Sequence, residues 1–194
     1  MELHSPAFEN AQPIPALFTH DGENISPPLH WSNVPEDTQS LALIVEDPDA
    51  PSGVFTHWVI YNLPPMMQGL DREVPEGGHY GDQAQQGIND FHTMGYGGPR
   101  PPSGEHRYIF RLFALDKMLR LDSEVTKEIL LQAIEGHVLA EATLTGLYAK
   151  HERGDVALEH ELSAERSQED AYDRSVHYDE KQPEADIRIQ QGSS

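Results

Sequence analysis

The sequence has 194 residues, of which 37% are hydrophobic, and its 13 basic and 33 acidic side chains give a formal net charge of −20. This length accommodates one domain with a substantial core, and the low hydrophobic fraction indicates that part of the chain lies outside that core. The charge argues against nucleic-acid binding, which needs clustered Lys and Arg, and the absence of cysteine excludes disulfides and thiolate chemistry.

The first 150 residues predict a β-rich domain. Apolar runs bounded by turn signals predict buried strands over residues 40–47, 57–64 and 106–116. Alternation in the third run divides its side chains between two faces, with Arg107, Ile109 and Arg111 on one and Tyr108, Phe110 and Leu112 on the other. Because no helical pattern lies between these strands, we predict an antiparallel β-sandwich or barrel rather than a parallel sheet.

One short helix is predicted after the third strand. Ser123 or Thr126 can cap its start, and Gly136 is a natural stop. Its apolar stripe consists of Ile129, Leu130, Ala133 and Ile134. Residues 139–148 then predict a last strand.

The composition changes after Lys150. Residues 151–194 are polar and rich in acidic side chains, with helix formers over 155–174. We therefore predict a domain over residues 1–150, followed by an acidic C-terminal extension that is partly helical or disordered.

Three polar side chains lie at the edges of the predicted strands. Asp47 ends the first strand, His57 begins the second, and His106 begins the third, after a loop rich in glycine and proline. If these strand edges meet, two imidazoles and a carboxylate can bind an oxyanion or, alternatively, a metal ion. The alternatives are structural: Asp47 can cap a turn at Pro48, and His57 can be a buried histidine with its hydrogen bonds satisfied.

Four segments resemble, in the right order, the bacterial and archaeal (Raf kinase inhibitor-like) branch of the phosphatidylethanolamine-binding protein family. They are residues 21–31, 45–64, 87–116 and 134–148. The most specific motifs are D-P-D-A-P, which starts at Asp47, and G-x-H-R-Y, which ends at Tyr108.

The resemblance implies a β-sandwich with a small pocket for an anionic head group such as phosphate, phosphoethanolamine or acetate. By position, it assigns to this pocket the side chains of Asp47, Phe55, His57, His106 and Tyr108 and the rim backbone of Gly98 and Pro99. Phe55 stands where many relatives have tryptophan, and Arg100 where eukaryotic relatives have a second rim proline. The resemblance also implies a cis Ala50–Pro51 bond.

Several further positions receive no ligand role. We interpret His20 as a structural or surface group, and Asn89-Asp90 as a turn near the pocket. By strand alternation, Arg107 faces away from the pocket and is expected to form a structural ion pair. No motif places Tyr172 or Tyr178 in the role of the tyrosine on the C-terminal helix of eukaryotic relatives.

The first functional hypothesis is a binding protein for a small anion or phospholipid head group, which by resemblance also inhibits a kinase or protease partner. We expect no cofactor. We also expect no binding to nucleic acid and no stable membrane association, because the chain is acidic and lacks an apolar run of membrane-spanning length. A cytoplasmic location is expected, and a homodimer stays open. The first alternative is a hydrolase that uses Asp47, His57 and His106 as acid/base or metal-binding groups. The second is a protease or kinase inhibitor in which the pocket is vestigial or regulatory.

Overall fold

The computed structural model describes residues 1–122 and 124–150, so the predicted extension over residues 151–194 lies outside the described residues. The described chain forms ten strands and one α-helix, α1 (Lys127–Ile134), with a short 3₁₀ turn at Ala16–Phe18. The strands are β1 (Glu2–His4), β2 (Gln12–Pro13), β3 (Leu29–Ser32), β4 (Ser40–Asp47), β5 (Phe55–Leu63), β6 (Gly69–Leu70), β7 (His79–Tyr80), β8 (Ala84–Gln86), β9 (Glu105–Leu115) and β10 (Val138–Ala149).

The strands form two sheets. A seven-stranded sheet has the order β2-β10-β9-β4-β5-β8-β7, and a three-stranded sheet has the order β1-β3-β6. Every pairing is antiparallel except that of β2 with the edge of β10, which is parallel and sets Gln12 opposite Gly146. The prediction of a mainly β, antiparallel sandwich is confirmed, with this one parallel pair as an addition.

Strand β4 shows why the sequences of the central strands are nearly continuous apolar runs. Leu41, Leu43 and Val45 pack into the core that the strands of both sheets share. Ala42 and Ile44, which alternate with them, pack into a second core on the opposite face of the large sheet. All five are almost fully buried, because a strand covered on both faces has no solvent-facing side.

The second core is covered by α1. Thr126 caps the helix, since its Oγ1 accepts a hydrogen bond from the backbone N–H of Ile129. Leu130 and Ile134 are buried against the sheet, as predicted. Ile129 was predicted on the same apolar stripe, but its side chain is 43% exposed, because only one side of this short helix touches the sheet. Ser123, the alternative cap, is not among the described residues.

The long strands lie where the sequence predicts them, with shifts at their ends. Residues 40–47 match β4, whereas β5 begins two residues before the predicted start and each end of β9 lies one residue before its predicted position. The last strand extends the prediction by one residue at each end. Six strands of two to four residues were not predicted, and most of them complete the edges of the sheets.

Two smaller findings concern the backbone and the membrane. The implied cis Ala50–Pro51 bond is wrong: no peptide bond among the described residues is cis. In the same part of the chain, no helix has the length and apolar character needed to cross a bilayer.

Candidate ligand-binding pocket

A cavity of about 180 Å³ opens at one edge of the large sheet. It lies there because β4 runs antiparallel to both β5 and β9, so the end of β4 meets the starts of its two neighbours. Asp47 accordingly pairs with Phe55 across β4 and β5. The residues on its wall that matter below are Asp47, Phe55, His57, Phe91, Arg100 and Tyr108.

Asp47 is the buried carboxylate of this wall. Its Oδ2 accepts a hydrogen bond from Nδ1 of His106 at 2.7 Å, and its Oδ1 accepts one from the backbone N–H of Asp49 at 2.8 Å. Asp47 therefore caps the turn, as the structural alternative proposed, and lines the cavity as well. His106 is also buried, but it is not among the residues that line the cavity. Its contact with the site is the hydrogen bond to Asp47.

His57 lies on the wall, and the backbone of Gly97 and, more weakly, of Gly98 interacts with its ring. Its Nδ1 lies 2.6 Å from the carbonyl oxygen of Gly97. Since a carbonyl can only accept, Nδ1 carries the proton, and Nε2 carries the lone pair whenever the ring is neutral. Burial, partly offset by that hydrogen bond and by the charge of Asp47, lowers the pKa of His57 to about 4. At neutral pH His57 is therefore neutral.

Aromatic rings surround the imidazole of His57. The centroids of Phe55, Phe91 and Tyr108 lie 5.1, 5.4 and 5.1 Å from the centroid of the His57 ring. Phe55 thus contributes a ring to the wall although it replaces the tryptophan of many relatives. The packed rings keep water away from His57, which is the desolvation that lowers its pKa.

Tyr108 supplies a buried hydroxyl with no well-aligned hydrogen bond within the described residues. Burial and the charge of Asp47 raise the pKa of Tyr108, while the backbone of Arg100 acts in the opposite direction. The side chain is therefore a neutral phenol. A buried hydroxyl without a well-aligned partner on the wall of a cavity is available to a ligand.

The backbone of Gly98 and Pro99 lies behind the wall and is not part of it. The N–H of Gly98 donates to Oδ1 of Asn24 at 2.8 Å, and the carbonyl of Pro99 accepts from the N–H of His20 at 3.0 Å. Neither residue is among those that line the cavity. Their role in this structure is to attach the rim loop to the segment from His20 to Asn24.

Gly98→Ala is expected to lower the free energy of unfolding by about 1–3 kcal/mol, which is typical of overpacking. A Cβ at Gly98 would lie 2.6 Å from the carbonyl oxygen of Phe18 and 2.8 Å from Cα of Thr19, both backbone atoms that cannot rotate away. Urea denaturation measures the loss. The control is Gly78→Ala, whose Cβ would meet only the flexible Met94 side chain, at 3.4 Å. Equal stability of the two variants would contradict this packing role.

The turn predicted at Asn89-Asp90 carries Phe91 to the cavity. Asn89 is buried, and its Oδ1 accepts hydrogen bonds from the backbone N–H groups of Phe91 and Thr93. Asp90 Oδ2 accepts from the N–H of Thr56 at the start of β5. The prediction of a turn near the pocket is confirmed. Phe91 itself was missed, since a single aromatic residue in a loop carries no periodic signal.

His20, interpreted from the sequence as a structural or surface group, packs beside the aromatic wall of the cavity. Its ring lies 5.0 Å from the Phe91 ring, and Nε2 is buried without a hydrogen-bond partner in the described residues. Burial and then the charge of Arg100 lower the pKa of His20. His20 thus belongs to the surroundings of the pocket, next to the aromatic wall.

Arg107 lies outside the pocket, as strand alternation predicts. Its Nε and Nη2 donate to the two carboxylate oxygens of Asp49 at 2.9 and 2.7 Å. These hydrogen bonds lower the pKa of Asp49 to about 2. Arg100, by contrast, is exposed at the rim and is the cationic side chain of the cavity wall.

The metal-binding alternative finds no support in the geometry of the described residues. Nowhere in residues 1–122 and 124–150 do three or more His, Asp or Glu side chains come together as a metal site. Asp47 and His106 form a pair, while Nδ1 of His57 points to a carbonyl.

Comparison with known proteins gives consistent matches over the described domain. The profile of the phosphatidylethanolamine-binding protein family matches residues 4–149. The UPF0098 protein of Methanothermobacter thermautotrophicus is 56% identical over 150 residues, which cover 77% of this chain and 99% of the relative. The UPF0098 protein of Aquifex aeolicus is 43% identical over 153 residues, covering 77% of this chain and 89% of the relative.

Two crystal structures show the same fold. A phosphatidylethanolamine-binding protein homologue from Chlamydia trachomatis is 43% identical, with a TM-score of 0.70, and the match covers 77% of this chain and 97% of that structure. YbcL of Escherichia coli, described as a member of the mammalian family, is 30% identical with a TM-score of 0.72, covering 77% and 98%. The chain therefore belongs to the phosphatidylethanolamine-binding protein family.

Proposed function

We propose that the protein binds a small anion or a phosphorylated head group in the cavity at the end of β4. The observation that carries the proposal is the wall itself: Asp47, His57, Tyr108 and Arg100 border one small cavity. Each of these side chains has hydrogen-bonding capacity or charge that its protein partners do not use up. Polar groups of this kind, converging in an otherwise apolar cavity, are typical of a ligand site.

The size of the cavity favours a head group over a complete lipid. Its volume of about 180 Å³ is smaller than the roughly 300–1,000 Å³ of pockets that bury drug-sized ligands. Phosphate, acetate and phosphoethanolamine are small enough. Acyl chains would have to remain outside.

Binding is expected to take up a proton. Two of the groups on the wall, Asp47 and neutral His57, present lone pairs to the cavity, whereas an anion needs donors. A proton carried either by His57 or by the ligand would remove this mismatch. Affinity for phosphate should therefore fall as pH rises from about 5.5 to 8, across the range in which phosphate and its monoesters lose their second proton.

Titration calorimetry with phosphate and phosphoethanolamine tests the proposal, and Tyr108→Phe is the informative variant. It removes only a hydroxyl that has no well-aligned partner, so stability should be unchanged while affinity falls about tenfold. The matched control is Tyr96→Phe, which loses the hydrogen bond to the carbonyl of Phe18 but no group on the wall. Absence of binding, or affinity that is flat or rising with pH, would refute the proposal.

The other hypotheses are separated by related measurements. A hydrolase would release phosphate from phosphoethanolamine during the titration, whereas a binding protein leaves it intact. Inhibition of a kinase or protease partner rests on the family resemblance alone. That function would be favoured if no anion binds and Tyr108→Phe behaves like the unmodified protein in every ligand titration.

A further inference from the structure

We propose that the cavity selects phosphate or a phosphate monoester in the singly charged form, which still carries an O–H group. This inference rests on the proposed function and specifies which chemical form of the anion is bound. The argument depends on which atoms of the wall accept hydrogen bonds, and on the charge of the wall. Three groups decide it: Asp47, His57 and Arg100.

The first acceptor is Nε2 of His57. The opposite ring nitrogen, Nδ1, is committed as a donor to the carbonyl oxygen of Gly97 at 2.6 Å. The ring is buried among Phe55, Phe91 and Tyr108, which opposes a positive charge on it. Nε2 therefore presents a lone pair, and the complementary ligand atom is a hydrogen-bond donor.

The second acceptor is the carboxylate of Asp47. Each of its oxygens already accepts one hydrogen bond, Oδ2 from His106 and Oδ1 from the N–H of Asp49. An ionised carboxylate can accept further bonds through its remaining lone pairs but cannot donate. A bare phosphate oxygen placed against Asp47 would bring two negative charges together, whereas a P–O–H group would donate to the carboxylate.

The charges on the wall favour a ligand with one negative charge over a ligand with two. Asp47 contributes one negative charge, Arg100 one positive charge, and His57 none while it is neutral. A monoanion can accept from Arg100 with its ionised oxygens and donate to Asp47 or His57 with its hydroxyl. Because these three charges sum to zero, a monoanion leaves one negative charge in excess, whereas a dianion leaves two and places its oxygens against two acceptors.

This chemistry distinguishes soluble phosphate esters from intact membrane lipids. The phosphate of a phospholipid is a diester and has no P–O–H group, while a monoester, whose second pKa is about 6, keeps one near and below that pH. Sulfate has the size of phosphate but carries no proton at neutral pH. The occupant expected from the wall is a soluble phosphomonoester or inorganic phosphate.

Two matched pairs of probes test the inference by calorimetry on the full chain at pH 6, in a buffer free of phosphate and sulfate. Phosphate against sulfate compares ions of similar size, and methyl phosphate against dimethyl phosphate compares the presence and absence of the P–O–H group. In each pair we expect the ligand with the proton to bind at least tenfold more tightly. A site built to bond a ligand hydroxyl strongly rejects the analogue without it, because its buried acceptors are left unpaired.

A variant identifies the acceptor. Asp47→Asn replaces a carboxylate oxygen by an amide donor and should reduce the preference for phosphate over sulfate to threefold or less. Asp49→Asn, on the exposed ion pair with Arg107, should leave it unchanged. If Asp47→Asn does not fold, the two probe pairs on the unmodified protein decide the question.

The outcomes separate this inference from the proposed function. Equal affinity for the two members of each pair would overturn the inference and leave anion binding intact. Tight binding of dimethyl phosphate alone would favour a lipid diester and overturn it also. Failure of all four probes to bind would overturn both.

Discussion

Asn89→Ala is expected to lower the free energy of unfolding by about 3 kcal/mol or more, because it leaves several buried backbone groups without partners. The side chain is 1% exposed. Its Oδ1 accepts from the N–H groups of Phe91 and Thr93 at 3.0 and 3.1 Å, and its Nδ2 donates to the carbonyl of Gly95 at 3.0 Å. Each unsatisfied buried group costs roughly 1–3 kcal/mol.

The same substitution should weaken ligand binding. The loop that Asn89 organises carries Phe91 onto the wall of the cavity, and it leads directly into the rim, where the N–H of Gly97 donates to the carbonyl of His57. Loss of the Asn89 side chain frees both segments. Phosphate affinity should fall together with stability.

Asn10→Ala is the matched control. Asn10 is exposed, and its side chain accepts one hydrogen bond, from the N–H of Thr145. We expect a loss below about 1 kcal/mol and unchanged phosphate affinity. Denaturant unfolding and calorimetry on both variants supply the data. A loss in Asn89→Ala no larger than that in Asn10→Ala would refute the structural role assigned to Asn89.

The sequence predicts the centre of this fold because the signals there are local. The run over residues 40–47 is apolar from Leu41 to Val45, and the alternation at the start of the run over residues 106–116 assigns Arg107 and Tyr108 to opposite faces. The order of the strands in the sheet, by contrast, does not follow from local signals. Only the pairing of β4 with both β5 and β9 brings Asp47 beside the other two strand edges, and that pairing was a hypothesis until the structure showed it.

The parts that escaped prediction depend on contacts between distant segments. From the sequence, Gly98 is interpreted as a glycine that lets a ligand approach the backbone. In the structure, the absence of a side chain at Gly98 makes room for the backbone of Phe18 and Thr19, some 80 residues earlier in the chain. The sequence identifies His20 only as a structural or surface group, and the fold is needed to place it against Phe91. The six short strands owe their conformation to neighbours in the sheets, not to their own sequence.

The free energy of unfolding is expected to decrease as pH falls from 6.5 to about 4, and His57 is the main identified cause. Folding lowers the pKa of this histidine from 6.5 to about 4, chiefly through burial. Between these two values the unfolded chain binds a proton that the folded chain does not, so stability rises with pH in this window and is lost as pH falls through it. His20, whose pKa is also lowered, acts in the same direction.

The contribution of His57 amounts to about 3 kcal/mol over this window, since one pKa unit corresponds to about 1.4 kcal/mol. His57→Gln keeps an N–H donor for the carbonyl of Gly97 but cannot titrate, so its stability should depend less on pH by about that amount. The exposed His4→Gln serves as the control and should follow the unmodified protein. Urea unfolding at a series of pH values, in buffers without phosphate, measures all three proteins. If the free energy of unfolding depends on pH in the same way for His57→Gln and the unmodified protein, burial does not keep His57 neutral. The neutral acceptor on the cavity wall, on which the inference of a protonated ligand depends, would then be lost.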